Sequence, residues 1–282
     1  MTAPTTPNSG SLEGYARLPT TTVLLPRLPI FAPTFDPDPR EGNWFECAAG
    51  RCRVDGTLGQ RHQACLEAIL HFATHRLIHH AADGTVDYVE VLVDPAKVRR
   101  AVGRKGSDYN FERLKKLMAD LQKAIIDVEH MRNGVLVTTH GALIERYEQF
   151  QSVALLNPLT RRIDRHPWCV RLGKAYILLA GIDIPRFWDP RDFQSLSSGI
   201  AQAVARWLWT QINPPNGGWK LDTVIQAVTP SKIGGDAMRN RRREIRCASD
   251  CLAELGITVT GDGRLLYDGR LARRAMVADE AA

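Results

Sequence analysis

Between residues 236 and 255 the chain carries five arginines and one asparagine at spacings suited to contact with a polyanion. At 100° per residue, Arg239, Arg242, Arg243 and Arg246 gather in one helical stripe, with Asn240 beside it. A second stripe of Met238, Ile245, Ala248, Leu252 and Leu255 lies about 140° away on the wheel and would face a core. Four guanidiniums on one face repel one another unless an anion is close. In a DNA major groove such side chains can bond guanine O6 and N7 in pairs and also neutralise phosphates. Arg241 falls on the apolar side, where its stem can lie on apolar surface with the head in water. The competing reading is an ordinary solvated basic face.

The elements flanking the stripe bear on that choice. Lys220 and Leu221 suit a short strand, and residues 222–228 a helix with Asp222 at its N-cap. Thr229-Pro230-Ser231 and Gly234-Gly235 break the chain before a longer helix over 236–255, which Gly256 can end at C′. Residues 257–260 and 264–267 alternate around Gly261-Asp262-Gly263 as a hairpin would. Helix, turn, helix and hairpin is the order of a winged helix, and it favours DNA over the solvated face.

A similar order of parts occurs earlier. Residues 58–79 read as one amphipathic helix through Leu66, Ile69, Leu70, Ala73 and Leu77. Residues 88–93 read as a strand, and Asp94-Pro95 opens a helix to 102. Ser107 is the expected cap of a helix reaching about residue 131, with a seam of Phe111, Leu114, Met118, Leu121, Ile125 and Val128. Residues 135–139 and 143–150 then suit a hairpin. The expected fold is therefore α+β: winged-helix units over 57–165 and 166–270, a Pro-rich extended tail over 1–56 and a frayed tail over 271–282. In the first unit, Arg104, Lys105, Ser107, Tyr109 and Asn110 cluster at the helix entry, with Arg113 and Lys116 further along. Such residues at a helix N-terminus can meet phosphates and base edges, although ordinary solubilising charge explains them nearly as well. In the second unit, residues 168–172 suit a strand and 174–180 and 196–212 helices, with Trp207 and Trp209 expected in the core.

Composition excludes some classes. The 282 residues are 44% hydrophobic, enough for packed cores, and 37 basic against 31 acidic residues give a mild net charge of +6. No run approaches 18 apolar residues, and the start, Met-Thr-Ala-Pro-Thr-Thr-Pro, has no export signal pattern. Six scattered cysteines suit a reducing compartment, so a cytoplasmic protein is expected. Eight of the sixteen prolines fall in the first 40 residues, yet residues 23–31 within that stretch are strongly apolar. No cofactor and no enzymatic activity are expected. Gly103-Arg104-Lys105-Gly106 lacks the length and ending of a phosphate-binding loop. A nicking enzyme would need a His-hydrophobic-His pair on a strand and a nearby tyrosine. His71, His75 and His79 share a helical face and could hold a metal, as could Cys47, Cys52, His62 and Cys65, but neither set matches a known ligand spacing with an acidic partner. Cys247 and Cys251 read as a packed pair.

The run over residues 220–260, KLDTVIQAVTPSKIGGDAMRNRRREIRCASDCLAELGITVT, resembles the C-terminal domain of the RepC replication initiators of IncQ-type plasmids. The likeness is densest over 238–243 and 252–259. More loosely, DYNFERLKKLMADLQKAIIDVEHM and YILLAGIDIPRFW resemble parts of TrfA-type initiators, so the likeness spans about residues 57–270. It implies tandem winged helices that bind direct repeats (iterons) at a plasmid origin, promote opening of the adjacent AT-rich duplex and help deliver a replicative helicase. A monomer–dimer equilibrium is compatible with it. The DNA-facing role carries over to Arg239, Arg242, Arg243 and Arg246. Arg27-Leu28-Pro29-Ile30-Phe31 is similar to the Gln-Leu-x-Leu-Phe motif by which TrfA-type initiators bind the sliding clamp, which would make Leu28, Ile30 and Phe31 partner contacts. Alternatively these three cover an apolar groove of the first unit. A winged-helix transcriptional or partition regulator is the binding-class alternative, and a relaxase or nickase the enzyme-class one.

Overall fold

The computed structural model describes residues 18–103, 109–132, 134–149, 155–156, 163–164, 167–211 and 214–268. Strand β1 (Thr21–Thr22) and helix α1 (Leu24–Arg27) precede a hairpin of β2 (Arg40–Cys47) and β3 (Gly50–Gly56). Helix α2 (Gln60–His71) leads to β4 (Ala73–His80), β5 (Val86–Val93), α3 (Pro95–Val102) and α4 (Phe111–Lys123). Then come β6 (Ile125–Arg132), β7 (Val135–Gly141), β8 (Ile144–Gln149), the short β9 (Leu155–Leu156) and β10 (Ile163–Asp164), and β11 (Trp168–Leu172). Helix α5 (Lys174–Ile182), β12 (Pro185–Arg186) and a 3-10 turn over Pro190–Ser195 lead to α6 (Gly199–Trp209). The last part holds β13 (Trp219–Lys220), α7 (Leu221–Ala227), α8 (Gly235–Cys247), α9 (Ser249–Glu254), β14 (Ile257–Val259) and β15 (Arg264–Tyr267). The fold is mixed α and β.

The first core is built on two antiparallel four-stranded sheets, in the orders β2-β3-β6-β7 and β4-β5-β11-β8. So β2 and β3, expected in the tail, and β11 and α5, expected in the second unit, join it instead, because β3 pairs with β6 and β11 with β5. Alternate residues of β5 and β11 point inward, burying Val89, Val91 and Val93 with Trp168, Val170 and Leu172, and α5 packs on β5, β7 and β8. Asp94 caps α3 as expected, its carboxylate accepting from the Ala96 N–H at 2.8 Å, with Pro95 in the first turn. Helix α4 buries Leu114, Leu117, Met118 and Leu121.

Three expectations fail here, each for a local reason. The helix over 58–79 ends at His71, because Ala73–His80 pairs with β5, and Leu77 of the expected seam is 60% exposed. The Asp83-Gly84 turn, with Gly84 at φ 81°, folds that hairpin. The helix over 107–131 ends at Lys123, since residues 125–132 form β6 between β3 and β7. Ile125 and Val128 fit a helical seam, but the β-branched run Ile125, Ile126 and Val128 also suits a strand, and Ile126 and Val128 are fully buried in the first core. Finally, β7 pairs with β6 across the turn at Gly134 (φ 79°), and β8 pairs with β11, so no hairpin joins 135–139 to 143–150.

Residues 18–39 form a strap rather than an extended tail, and β2 and β3 make 40–56 a sheet hairpin; residues 1–17 and the tail expected over 271–282 lie outside the described residues. Leu24, Leu25, Leu28, Ile30 and Phe31 are buried in the first core, with α1 against α6. Thr34 passes between the starts of two helices. A Cβ on Gly59 would lie 2.6 Å from the Thr34 carbonyl oxygen, and one on Gly199 would lie 2.5 Å from the Thr34 Cα. Only glycine lets the backbones approach so closely. Arg27 then reaches the end of α6, donating from Nε to Thr210 Oγ1 (3.1 Å) and from Nη2 to the Thr210 carbonyl (2.7 Å), where a cation also suits the helix dipole.

Helix α6 is buried along its whole length. Ile200, Val204 and Leu208 pack with Leu252, Ile257 and Leu265, and both Trp207 and Trp209 are in this core. On the side toward the first unit sits Arg206, 0% exposed. Its Nε donates to both Glu67 carboxylate oxygens at 3.0 Å, and its Nη1 to Gln60 Oε1 (3.0 Å) and Gln202 Oε1 (3.1 Å). Burial pushes the Glu67 carboxyl up, against the pull of Arg206. The pair joins α2 to α6.

Two stability outcomes follow. Arg206→Ala leaves a buried carboxylate alone and should cost about 3–5 kcal/mol in denaturant unfolding, whereas the double change Glu67→Leu with Arg206→Met should recover much of it. Equal loss in both variants would mean that the pair does not act as a unit. Phe31→Ala should lower stability by about 3–5 kcal/mol, as expected for a buried aromatic; a loss below about 0.5 kcal/mol, typical of surface positions, would contradict the burial of the strap.

Candidate nucleic-acid interface

The last part of the chain runs α6, β13, α7, α8, α9, β14 and β15, with the three strands in the antiparallel order β13-β15-β14. The helix expected over 236–255 divides at Ala248 (φ −98°, ψ 8°) into α8 and α9. Gly256 (φ 73°) ends it, and Gly263 (φ 79°) turns the hairpin. Asp222 does not cap α7, whose N-cap is Lys220 without a side-chain bond.

Ile245 is fully buried and Met238 is packed against the same core, so α8 presents its other side outward. Arg239, Asn240, Arg243 and Arg246 are exposed, while Arg241 and Arg242 are half-buried. The five arginines differ in what they already hold. Arg241 lies along the apolar side with its head 3.2 Å from Glu244 Oε1. Arg242 grips Asp222 with both arms, Nε donating to Oδ1 at 2.5 Å and Nη2 donating to Oδ2. Those hydrogen bonds hold the Asp222 carboxyl below the usual carboxylate range. Arg242 therefore ties α8 to α7. Arg239 meets Asp236 at 3.0 Å, both side chains more than three-quarters exposed; such a pair contributes little and yields readily to phosphate. Arg243 and Arg246 make no ion pair with any of the described residues.

These side chains line a hollow of about 370 Å³ formed by Arg239, Arg242, Arg243, Arg246 and Cys247. A second hollow of about 440 Å³ shares Arg242 and Arg246 and extends to Lys220 and Arg264 at the foot of the β14–β15 hairpin, with Asp222 and Asp262 also on its walls. Arg264 is held there by the Gly217 carbonyl (3.1 Å) and by Asp262 (3.4 Å). The basic surface thus continues from helix to hairpin. Lys220 and Arg264 were not among the sequence candidates; the signal was their place on β13 and β15, which pair beside the hairpin.

The first unit assembles less. Arg104, Lys105 and Ser107 lie outside the described residues. Asn110 caps α4 in the role expected of Ser107, its side chain accepting from the Glu112 N–H at 2.7 Å. Tyr109 is half-buried against the first core with the Arg61 guanidinium 6.0 Å from its ring centre, and burial raises its hydroxyl pKa. Tyr109 is thus partly taken up by the core, while Asn110, though it caps α4, is exposed. Arg113 and Lys116 do stand exposed on α4. Leu28, Ile30 and Phe31 have 2%, 0% and 4% of their surface exposed, so they cover the core and cannot meet a clamp without leaving it.

The histidine set is dispersed too: His71 is on α2, while His75 and His79 are on β4, with His79 stacked on Tyr88 at 4.0 Å. In the cysteine set, Cys52 and Cys65 are buried, and His62 accepts from the Gly59 N–H at 3.0 Å while facing Asp120 at 3.3 Å. Among the described residues no group of three or more His, Cys, Asp or Glu could hold a metal ion. No described helix is long and apolar enough to cross a membrane.

No family model matches the chain, and no curated protein matches it in sequence. Among solved structures, the crystal structure of RctB domains 2–3 is similar over 83% of this chain and 86% of that one, with 8% identity and a TM-score of 0.40. A likeness at that level adds no argument about the site.

Proposed function

We propose that the chain is a sequence-specific, double-stranded DNA-binding protein of the replication-initiator type, acting by binding rather than by cutting DNA. The observation that carries this reading is the outward face of α8, where Arg239, Arg243 and Arg246 are exposed and the latter two lack ion pairs among the described residues. The order α6, β13, α7, α8, α9, then the β14–β15 hairpin, with the sheet order β13-β15-β14, supports a winged-helix reading in which α8 would be the recognition helix. In this reading Arg243 and Arg246 enter the major groove, Arg239 exchanges Asp236 for a phosphate, and Arg264 and Lys220 bring the wing onto the backbone. Arg242 holds the angle between α7 and α8 through Asp222. In this reading the helices α2, α3 and α4 with the β6–β7 hairpin would act as a second winged helix, with Arg113 and Lys116 as weaker backbone contacts.

The initiator role rests on the sequence resemblance over residues 220–260. It implies direct repeats as the site, opening of neighbouring AT-rich duplex and delivery of a replicative helicase. Short direct repeats beside an AT-rich segment in the DNA near the coding sequence support this role, whereas a lone palindrome favours a transcriptional or partition regulator. Supercoiled DNA incubated with the protein and divalent metal should stay unnicked.

Duplexes selected from a random pool give the substrate for the direct test. If Arg243 makes a bidentate base contact, Arg243→Ala should cost about 1–3 kcal/mol and relax the preference at one position. If it meets only phosphate, affinity should fall alike for all sequences and the salt slope should drop by about one. Wild-type affinity and salt slope in the Arg239→Ala, Arg243→Ala and Arg246→Ala variants would sink the assignment of α8.

A further inference from the structure

We propose that Asp222 is a positioning residue for DNA recognition: it turns Arg242 so that the free end of the guanidinium meets a guanine in the major groove. This rests on the reading above, in which α8 lies against duplex DNA, and it names a base that the helix would select and the residue on α7 that makes the selection sharp.

A guanidinium can donate a parallel pair of N–H bonds from its side (Nε with one Nη) or from its end (both Nη). On Arg242 the side is taken: Nε donates to Asp222 Oδ1 at 2.5 Å and Nη2 donates to Oδ2. Such a fork-to-fork pair fixes the direction of the guanidinium as well as its place. The end is free. Nη1 bonds to none of the described residues and is open to solvent, the side chain of Arg242 keeping 40% of its surface exposed. Guanine O6 and N7 in the major groove accept a pair of bonds of this kind. Arg242 also belongs to both basic hollows, the one among Arg239, Arg243 and Arg246 and the one that runs toward the wing.

Charge sets Arg242 apart from its neighbours. Arg243 and Arg246 have no ion pair among the described residues, so any phosphate suits them. The charge of Arg242 is offset by Asp222, which is itself half in solvent, so a phosphate drawn to the one meets the repulsion of the other. Phosphate contacts carry no sequence information, whereas contacts with base edges do. The pair is thus poorly suited to the DNA backbone and well suited to the neutral acceptors of a guanine. An arginine left loose would also lose rotamer freedom on binding, and Asp222 removes that freedom in the unbound protein. The two side chains come from α7 and α8, 20 residues apart, so helix packing aims the reader.

The test uses the full chain with a duplex selected from a random pool, variants of that duplex changed one base pair at a time, and an unrelated duplex. Affinities over a range of salt are compared for wild type, Asp222→Asn, Arg242→Lys and Arg243→Ala, with thermal unfolding of each. Arg242→Lys keeps a cation beside Asp222 but loses the planar fork. Asp222→Asn and Arg242→Lys should each lower the preference for guanine about fivefold or more at one and the same position, leaving other positions alone. Asp222→Asn should also bind the unrelated duplex more tightly and with a steeper salt dependence, because it frees a charge for phosphate. A brace between helices with no part in recognition would lower the melting temperature and move no single base preference. Guanine preference kept in either variant overturns the proposal, and so does loss at two different positions. If Arg243→Ala still weakens binding in those cases, α8 stands as the DNA-facing helix and the role of Asp222 alone falls; wild-type binding in Arg243→Ala as well sinks both.

Discussion

A guanidinium with no surface in water must find protein acceptors for its N–H groups, and Arg206 finds its anion on Glu67, 139 residues away in sequence. Gln60 and Gln202 accept from its Nη1 and come from the same two helices, while Nη2 has no hydrogen-bond acceptor among the described residues. A buried ion pair adds little net stability over well-packed apolar groups, but it is intolerant of misplacement, because any shift strands a charge. Leucines in those places would hold α2 and α6 together at many offsets. The pair with its two amides admits one.

That constraint reaches the surface through α6. The opposite sides of the helix carry the second core, where Val204 and Leu208 share the interior with Ile245 of α8 and Leu252 of α9. The strap reinforces it, with Thr34 threaded between Gly59 and Gly199 and Arg27 closing the end of α6. The direction in which α8 presents its arginines is thereby set by contacts made far from them. Arginine has four fates in this one fold. Arg206 is interior mortar, Arg242 braces two helices, Arg241 lies along apolar surface, and Arg239, Arg243 and Arg246 face outward. The nearest carboxylate decides among them: Glu67 buried, Asp222 half-exposed, and for Arg243 none among the described residues.

What the sequence made legible was local. The hairpin around Gly261-Asp262-Gly263, the glycine end of the helix at Gly256, and the Asp94-Pro95 start of α3 rest on neighbours in the chain, and all three are present. The apolar stripe of α8 and α9 was readable because one face is buried and the other is not. Failures came where periodicity was ambiguous or the partner was distant. Ile125 and Val128 satisfy both a period of 3.6 and a strand with Ile126, and only pairing with β3 and β7 decides for the strand. Ala73–His80 is drawn from helix to strand by β5. The prolines of the N-terminal stretch forbid a long helix, but they do not reveal that Leu28, Ile30 and Phe31 fill the first core. At the site, the stripe on the wheel located the exposed arginines; the commitment of Arg242 to Asp222 needed the packing of α7 on α8, a contact 20 residues apart in the chain.

The central claim is that the exposed arginine face of α8 lies against duplex DNA, and Cys247 offers a direct way to examine it. This cysteine is exposed at the rim of the arginine hollow, whereas Cys52 and Cys65 are buried. With Cys47, Cys169 and Cys251 replaced by serine, an iron chelate attached to Cys247 generates hydroxyl radicals at that point. Bound to a selected duplex, the labelled protein should cut both strands in a narrow cluster inside the protected site. Full binding with no cutting inside the site would place α8 away from the DNA and contradict the account.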